Sequence, residues 1–153
     1  MQYLLTILAV FTGELFWKGH VEKEIPENSS KKILRDTIIL TKHHNRGAVL
    51  NTGERRPEII KWMSVVLTSV AAILFACSFG LAGKGLMKSG LSLLLGGAFS
   101  NTYDRLKRGY VVDYFRLNVP VKRIRNLIFN VSDFCIIIGA LLVVLGEQDV
   151  PKG

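Results

Sequence analysis

Hydrophobic residues in this 153-residue chain fall in four long blocks, separated by two long polar stretches and one short one. From Met1 to Trp17 only Gln2, Thr6, Thr12, Gly13 and Glu14 interrupt the first block, which predicts a span over about 1–20. The second block, 59–81, is charged only at Lys61, and the sequence LAGKGLMK turns it tightly into a third, 86–103. The fourth runs over 127–145 and is followed by a soluble tail, EQDVPKG. A bilayer core about 30 Å thick takes about 20 apolar residues in a helix. The pattern therefore predicts an all-α membrane protein of four transmembrane helices in one domain over 1–153, with both termini on the same side. No Lys or Arg precedes Lys18, and GELFWKG is a poor cleavage sequence, so the first block reads as a retained span and not as a leader.

The two long polar stretches, 21–58 and 104–126, become the loops. In the first, ILRDTIILTK (33–42) is rich in β-branched residues and predicts one or two short strands, a small sheet lying on the membrane surface. Gly47 and Gly53 mark turns, and Pro57 suits a helix start. The second loop holds an apolar patch, Val111 to Phe115, and a short amphipathic basic segment in which Pro120 blocks a continuous helix.

Composition sharpens this picture. Hydrophobic residues make up 49% of the chain, yet its formal net charge is +8. Lys and Arg crowd beside the apolar blocks, so anionic lipid head groups are the expected partner and nucleic acid is not. Cys77 and Cys135 lie inside apolar runs and read as packing residues. The histidines, His20, His43 and His44, form no metal-binding spacing, so no metal is expected. Lys and Arg number 8 in 19–60 and 7 in 104–126, which by the positive-inside rule alone would put both loops in the cytoplasm.

Against this apolar background the stretch 94–134 carries Asn101, Asp104, Arg105, Asp113, Asn130 and Asp133. Ionisable side chains near hydrocarbon are costly and mark function. Counted from the start of the fourth block, Asp133 lies about two turns in, with Asn130 three residues earlier on the same helical face. If Asp113 meets Asp133, the two cannot both ionise easily and share a proton. One then takes a proton from water while the other donates to a carbonyl oxygen, which suffices to hydrolyse a peptide bond. Singly, Asp113 reads as a solvated loop residue and Asp133 as a helix–helix hydrogen bond. Glu14 and Lys18, four apart, read as an intrahelical ion pair.

Five motifs in order then carry a resemblance: ELFWK at 14–18, NRGAVLN at 45–51, GGAFSNTYDR at 96–105, VVDYF at 111–115 and FNVSD at 129–133. The chain resembles the lipoprotein signal peptidases, the signal peptidase II family of membrane aspartyl proteases, over nearly its whole length. The resemblance implies Asp113 and Asp133 as the catalytic pair. Asn45, Gly47, Asn101, Arg105 and Asn130 would line the site or hold substrate, with Gly47 in a tight turn. Glu14, Lys18 and Asp104 would support the structure, Asp104 pairing with Arg105 or a neighbouring loop. The implied reaction removes the signal peptide of a diacylglyceryl-modified prolipoprotein just before its lipidated cysteine, with water as nucleophile and no cofactor. It also implies a monomer in the bacterial cytoplasmic membrane, with loops and site on the extracytoplasmic side and termini inside, against the charge count. The chain departs from the family pattern at Glu14 (Asp), Val49 and Leu50 (Ala and Phe), Ser100 (Gly) and Ser132 (Ala). Two rivals fit parts of the pattern: a non-catalytic relative that binds lipopeptide or inhibitor, and a small proton-coupled transporter using Glu14.

Overall fold

A computed structural model describes residues 1–27, 29–48 and 52–148. Its long helices are α1 (Gln2–Glu24), α2 (Pro57–Ser78), α3 (Gly85–Arg108) and α5 (Val131–Gln148), with a single-turn helix α4 (Lys122–Arg125). Three strands, β1 (Lys31–Ile33), β2 (Ile38–Asn45) and β3 (Val111–Leu117), form one antiparallel sheet in the order β1-β2-β3. Pro57 opens α2 as expected of a residue whose fixed φ suits a first turn and whose missing N–H costs nothing there.

Helix α3 packs against α1, α2 and α5, and this central position explains its composition. It presents small and polar side chains, among them Gly90, Ser92, Gly96 and Gly97, because three neighbours cover it. A Cβ on Gly96 would lie 2.7 Å from the Val10 side chain, and one on Gly97 would lie 2.5 Å from the Ser132 carbonyl oxygen. Farther from the sheet, Gly90 and Gly139 face each other across α3 and α5, each leaving only 2.6 Å to the other's carbonyl oxygen. Small residues are what let two backbones approach this closely. By contrast α1, α2 and α5 turn large apolar side chains outward, including Leu8, Trp62, Leu67, Leu74, Leu141 and Val144. Water would not tolerate so broad an apolar surface, whereas lipid matches it. Among the described residues, α1 and α2 are the helices long and apolar enough by composition to cross a membrane.

Three boundaries differ from the sequence expectation. The third helix continues through Arg108, past the expected end at 103, until Gly109 ends it in a left-handed conformation (φ 80°). The expected surface patch at 111–115 is the third strand, so the sheet draws on both loops: Asn45 pairs with Val111 and His43 with Asp113. The last helix starts at Val131, not Leu127. Asp133 therefore sits in its first turn rather than two turns deep. The reason is local: Phe129 is held in a bridge to Phe115, its N–H donating to the Phe115 carbonyl at 2.7 Å, and Asn130 then caps the helix.

Candidate active site

The first turn of α5 is satisfied from three directions. The Val131 N–H donates to the Tyr114 hydroxyl (3.0 Å), the Ser132 N–H to Glu14 Oε2 (3.1 Å), and the Asp133 N–H to Asn130 Oδ1 (3.0 Å). In return the Asn130 N–H donates to Asp133 Oδ2 at 3.0 Å. Asn130 and Asp133 thus form a reciprocal capping box, the solution a helix adopts when its first N–H groups have no intrahelical acceptor. The same Asn130 donates through Nδ2 to Asp113 Oδ1 at 2.7 Å. One carboxamide joins the two acids.

Three amides meet the carboxyl groups, and each is held in one orientation by what its oxygen accepts. Asn130 Oδ1 takes the Asp133 N–H, so its Nδ2 faces Asp113. Asn45 Oδ1 takes the Gly47 N–H (3.0 Å), so its Nδ2 faces Asp113 Oδ2 (3.0 Å). Asn101 Oδ1 takes the Lys18 ammonium (2.8 Å), so its Nδ2 faces Asp133 Oδ1 (2.9 Å). A flipped amide would set oxygen against oxygen, so the network fixes these assignments. Gly47 lies in a bend after β2, and its carbonyl accepts from Arg105 Nη2 at 3.0 Å.

Asp113 is 2% exposed. Its carboxyl is pushed up to about 7, first by burial and then by the neighbouring Asp133 charge, against the opposing hydrogen bonds from Asn45 and Asn130. Both acids line a cleft of about 430 Å³ between α2, α3, α5 and the sheet. Asn45, Asn101 and Arg105 line it with them, while Leu67, Leu94, Ile136 and Ile137 make its walls largely apolar. Arg105 Nε is buried without a hydrogen-bond partner among the described residues.

Behind this layer lies Lys18, fully buried, with its ammonium on Asn101 Oδ1, Ser100 Oγ (3.0 Å) and Asp104 Oδ2 (3.1 Å). The expected Glu14–Lys18 ion pair is loose at 3.8 Å, because each residue has a shorter partner elsewhere. Of the two partners expected for Asp104, it takes the neighbouring segment and not Arg105: it holds the Val112 N–H (3.3 Å), together with Lys18 and Arg108 Nε (3.4 Å). Adjacent residues on a helix point in different directions, whereas Arg108 is one turn on. Sequence reasoning missed Tyr114, whose hydroxyl donates to Glu14 Oε1 at 2.6 Å. Burial and the Glu14 carboxylate push that phenol up, so it stays a donor. It also missed Thr68 and Thr102, whose hydroxyls pair at 2.8 Å on the α2 side of the cleft. Two departures from the family pattern, Glu14 and Ser132, touch each other, and a third, Ser100, holds Lys18; Val49 and Leu50 lie outside the described residues.

The fold is that of a membrane enzyme. A bacterial membrane enzyme solved in meso at 2.3 Å resolution superposes with a TM-score of 0.83 over 99% of this chain and 93% of its own, at 21% identity. A second, at 1.9 Å, gives 0.78 over 97% and 93% at 22% identity. The family model of signal peptidase (SPase) II matches residues 6–147. The lipoprotein signal peptidase of Lactiplantibacillus plantarum is 31% identical over 94% of this chain and 92% of its own. That of Moorella thermoacetica is 30% identical over 97% of each, and that of Caldicellulosiruptor bescii 32% over 94% and 88%. The chain belongs to the signal peptidase II family and is an aspartic-type peptidase.

Proposed function

We propose that Asp113 and Asp133 are the reacting pair of this peptidase, cutting diacylglyceryl-modified prolipoproteins immediately before the lipidated cysteine. The observation that carries this reading is the convergence of both carboxyls on one cleft, joined through Asn130. Asp113, buried and pushed up to about 7, holds the shared proton. Asp133, half-buried at the mouth of α5, takes a proton from water as the water oxygen adds to the scissile carbonyl carbon. The Asp113 proton passes to the carbonyl oxygen, giving a neutral diol. The C–N bond then breaks: the nitrogen takes the proton from Asp133, and a diol hydroxyl returns one to Asp113. Both acids end as they began.

Asn45, Asn101 and Asn130 hold the acids, and Arg105, which lines the cleft, holds substrate backbone. The apolar walls suit the lipid and the apolar signal segment. We further read α1, α2, α3 and α5 as four spans of a single domain, with the sheet and α4 on the extracytoplasmic side and both termini in the cytoplasm. Helix α4 presents Lys122, Arg123 and Arg125 beside exposed Val121 and Ile124, a composition suited to anionic head groups at the interface. One chain carries every site residue, so a monomer suffices. The test incubates purified protein in bilayer nanodiscs with a lipidated lipobox peptide and follows release of the signal fragment. Cleavage that disappears in Asp113→Asn and Asp133→Asn supports the reading. An uncut substrate, or cleavage surviving either change, overturns it.

A further inference from the structure

From the geometry behind the cleft we infer that Glu14 and Ser132 form a length-matched positioning pair that sets the spacing between Asp113 and Asp133. The inference rests on the reading of those acids as the reacting pair. Glu14 is 4% exposed, and its carboxylate has two faces. Oε1 accepts from the hydroxyl of Tyr114, the residue that follows Asp113. Oε2 accepts from both the N–H and the hydroxyl (2.7 Å) of Ser132, the residue that precedes Asp133. A single carboxylate on α1 therefore ties the chain neighbours of both acids. The Tyr114 hydroxyl closes the loop by accepting the Val131 N–H. Neither Glu14 nor Ser132 lines the cleft, so the pair acts through what it holds.

The match is one of reach. Shortening Glu14 to aspartate withdraws the carboxylate by about one carbon–carbon bond, ~1.5 Å. It can no longer meet Tyr114 on one side and both Ser132 donors on the other. Ser132 is 0% exposed, so its hydroxyl loses its acceptor where water cannot replace it. The first turn of α5 then shifts to follow, carrying Asp133 with it. Taking the hydroxyl away removes that conflict. Ser132→Ala is thus harmful while Glu14 is intact and helpful in the Glu14→Asp background, a reversal of sign that bulk destabilisation does not give.

The experiment measures kcat and KM on the whole chain in nanodiscs with the lipidated lipobox peptide, for Glu14→Asp, Ser132→Ala and the double substitution. Amide exchange at residues 131–133 and thermal unfolding accompany each. Glu14→Asp is expected to lower kcat about 10-fold and Ser132→Ala about 3-fold with KM held within about two-fold, while the double variant regains most of the kcat lost by Glu14→Asp. The 132 and 133 amides should exchange faster in Glu14→Asp and slow again in the double. A Glu14→Asp protein that fails to fold while the double folds supports the pair equally. The inference is overturned by an unchanged kcat in Glu14→Asp, by a double no better than Glu14→Asp, by a loss confined to KM, or by both proteins failing to fold. An unmodified chain that leaves the peptide uncut sinks the reading of the site, and the exchange pattern then decides the pair by itself.

Discussion

The two ends of the α3–α5 contact differ in what they add to close packing. Away from the sheet the helices meet through absences: Gly90 against Gly139, and Gly146 against the backbone of Met87. Near the sheet Gly97 still lets the Ser132 carbonyl in close, but a directional bond is added, Asn101 to Asp133, and Lys18 of α1, Asp104 and Asn130 beside it are all buried and all partnered. The glycine end fixes only how close two cylinders come. The polar end fixes where individual oxygens and protons sit, which chemistry requires and close packing alone does not supply. Volume is therefore the sensitive variable at one end, and functional-group identity joins it at the other.

The sharpest test of that contrast changes identity at constant volume. Asp113→Asn or Asp133→Asn should lower cleavage of a lipidated peptide by about 10³-fold or more, and, because each sets an amide nitrogen against a buried N–H donor, should ease unfolding by about 1–3 kcal/mol. Lys18→Met comes next: it takes from Asp104, 1% exposed, its shortest partner, leaving the longer contacts to Arg108 and the Val112 N–H, and frees the Asn101 amide to turn, so unfolding should be easier by about 3 kcal/mol. Asp113 also makes stability depend on pH. Its carboxyl is raised from 3.8 to about 7 in the fold, so the folded state holds the proton more tightly than the unfolded one. That contribution is complete below about pH 3.8 and is lost as pH rises through about 7, with a slope of at most about 1.4 kcal/mol per unit. Unfolding followed from pH 4 to 8 should show the decline, Asp113→Asn should flatten it, and cleavage should fade as pH climbs past 7.

At the other end Gly139→Ala should cost about 1–3 kcal/mol, since its Cβ would meet the Gly90 carbonyl oxygen at 2.6 Å. Gly13→Ala, on α1 with nothing within 4 Å, should instead stabilise by about 0.5–1 kcal/mol through helix propensity alone. Thermal unfolding of the two variants side by side would break the contrast if both moved in the same direction.

How far the sequence could be read follows the same division. Helices α1 and α2 announce themselves because lipid imposes one long apolar run, and α2 lies within three residues of its expected limits at either end. Strand β3 did not, because Val111 to Tyr114 are buried on both faces and the alternation of a half-exposed strand is missing. The start of α5 was misplaced for a related reason: Leu127 to Phe129 are as apolar as the helix that follows. The spacing Asn130-x-x-Asp133 was the available signal, since a polar residue answered three positions later by an acid is how a helix announces its cap. The site residues named from motifs do converge, but the partners of Lys18 and Glu14 did not show in the sequence. Their bonds reach 82 to 118 residues along the chain, and helical spacing points only to each other.

The shallow placement of Asp133 has a consequence for what can be cut. On the proposed placement of the spans, a peptide bond brought to the mouth of α5 would arrive where hydrocarbon gives way to water, and in a continuous helix its carbonyl would already be engaged by an amide four residues on. The terminal turn of an incoming signal segment must come undone before its carbonyl can meet the two acids. Substrates whose last turn is stiffened toward helix should therefore be processed slowly, however well the remainder fits.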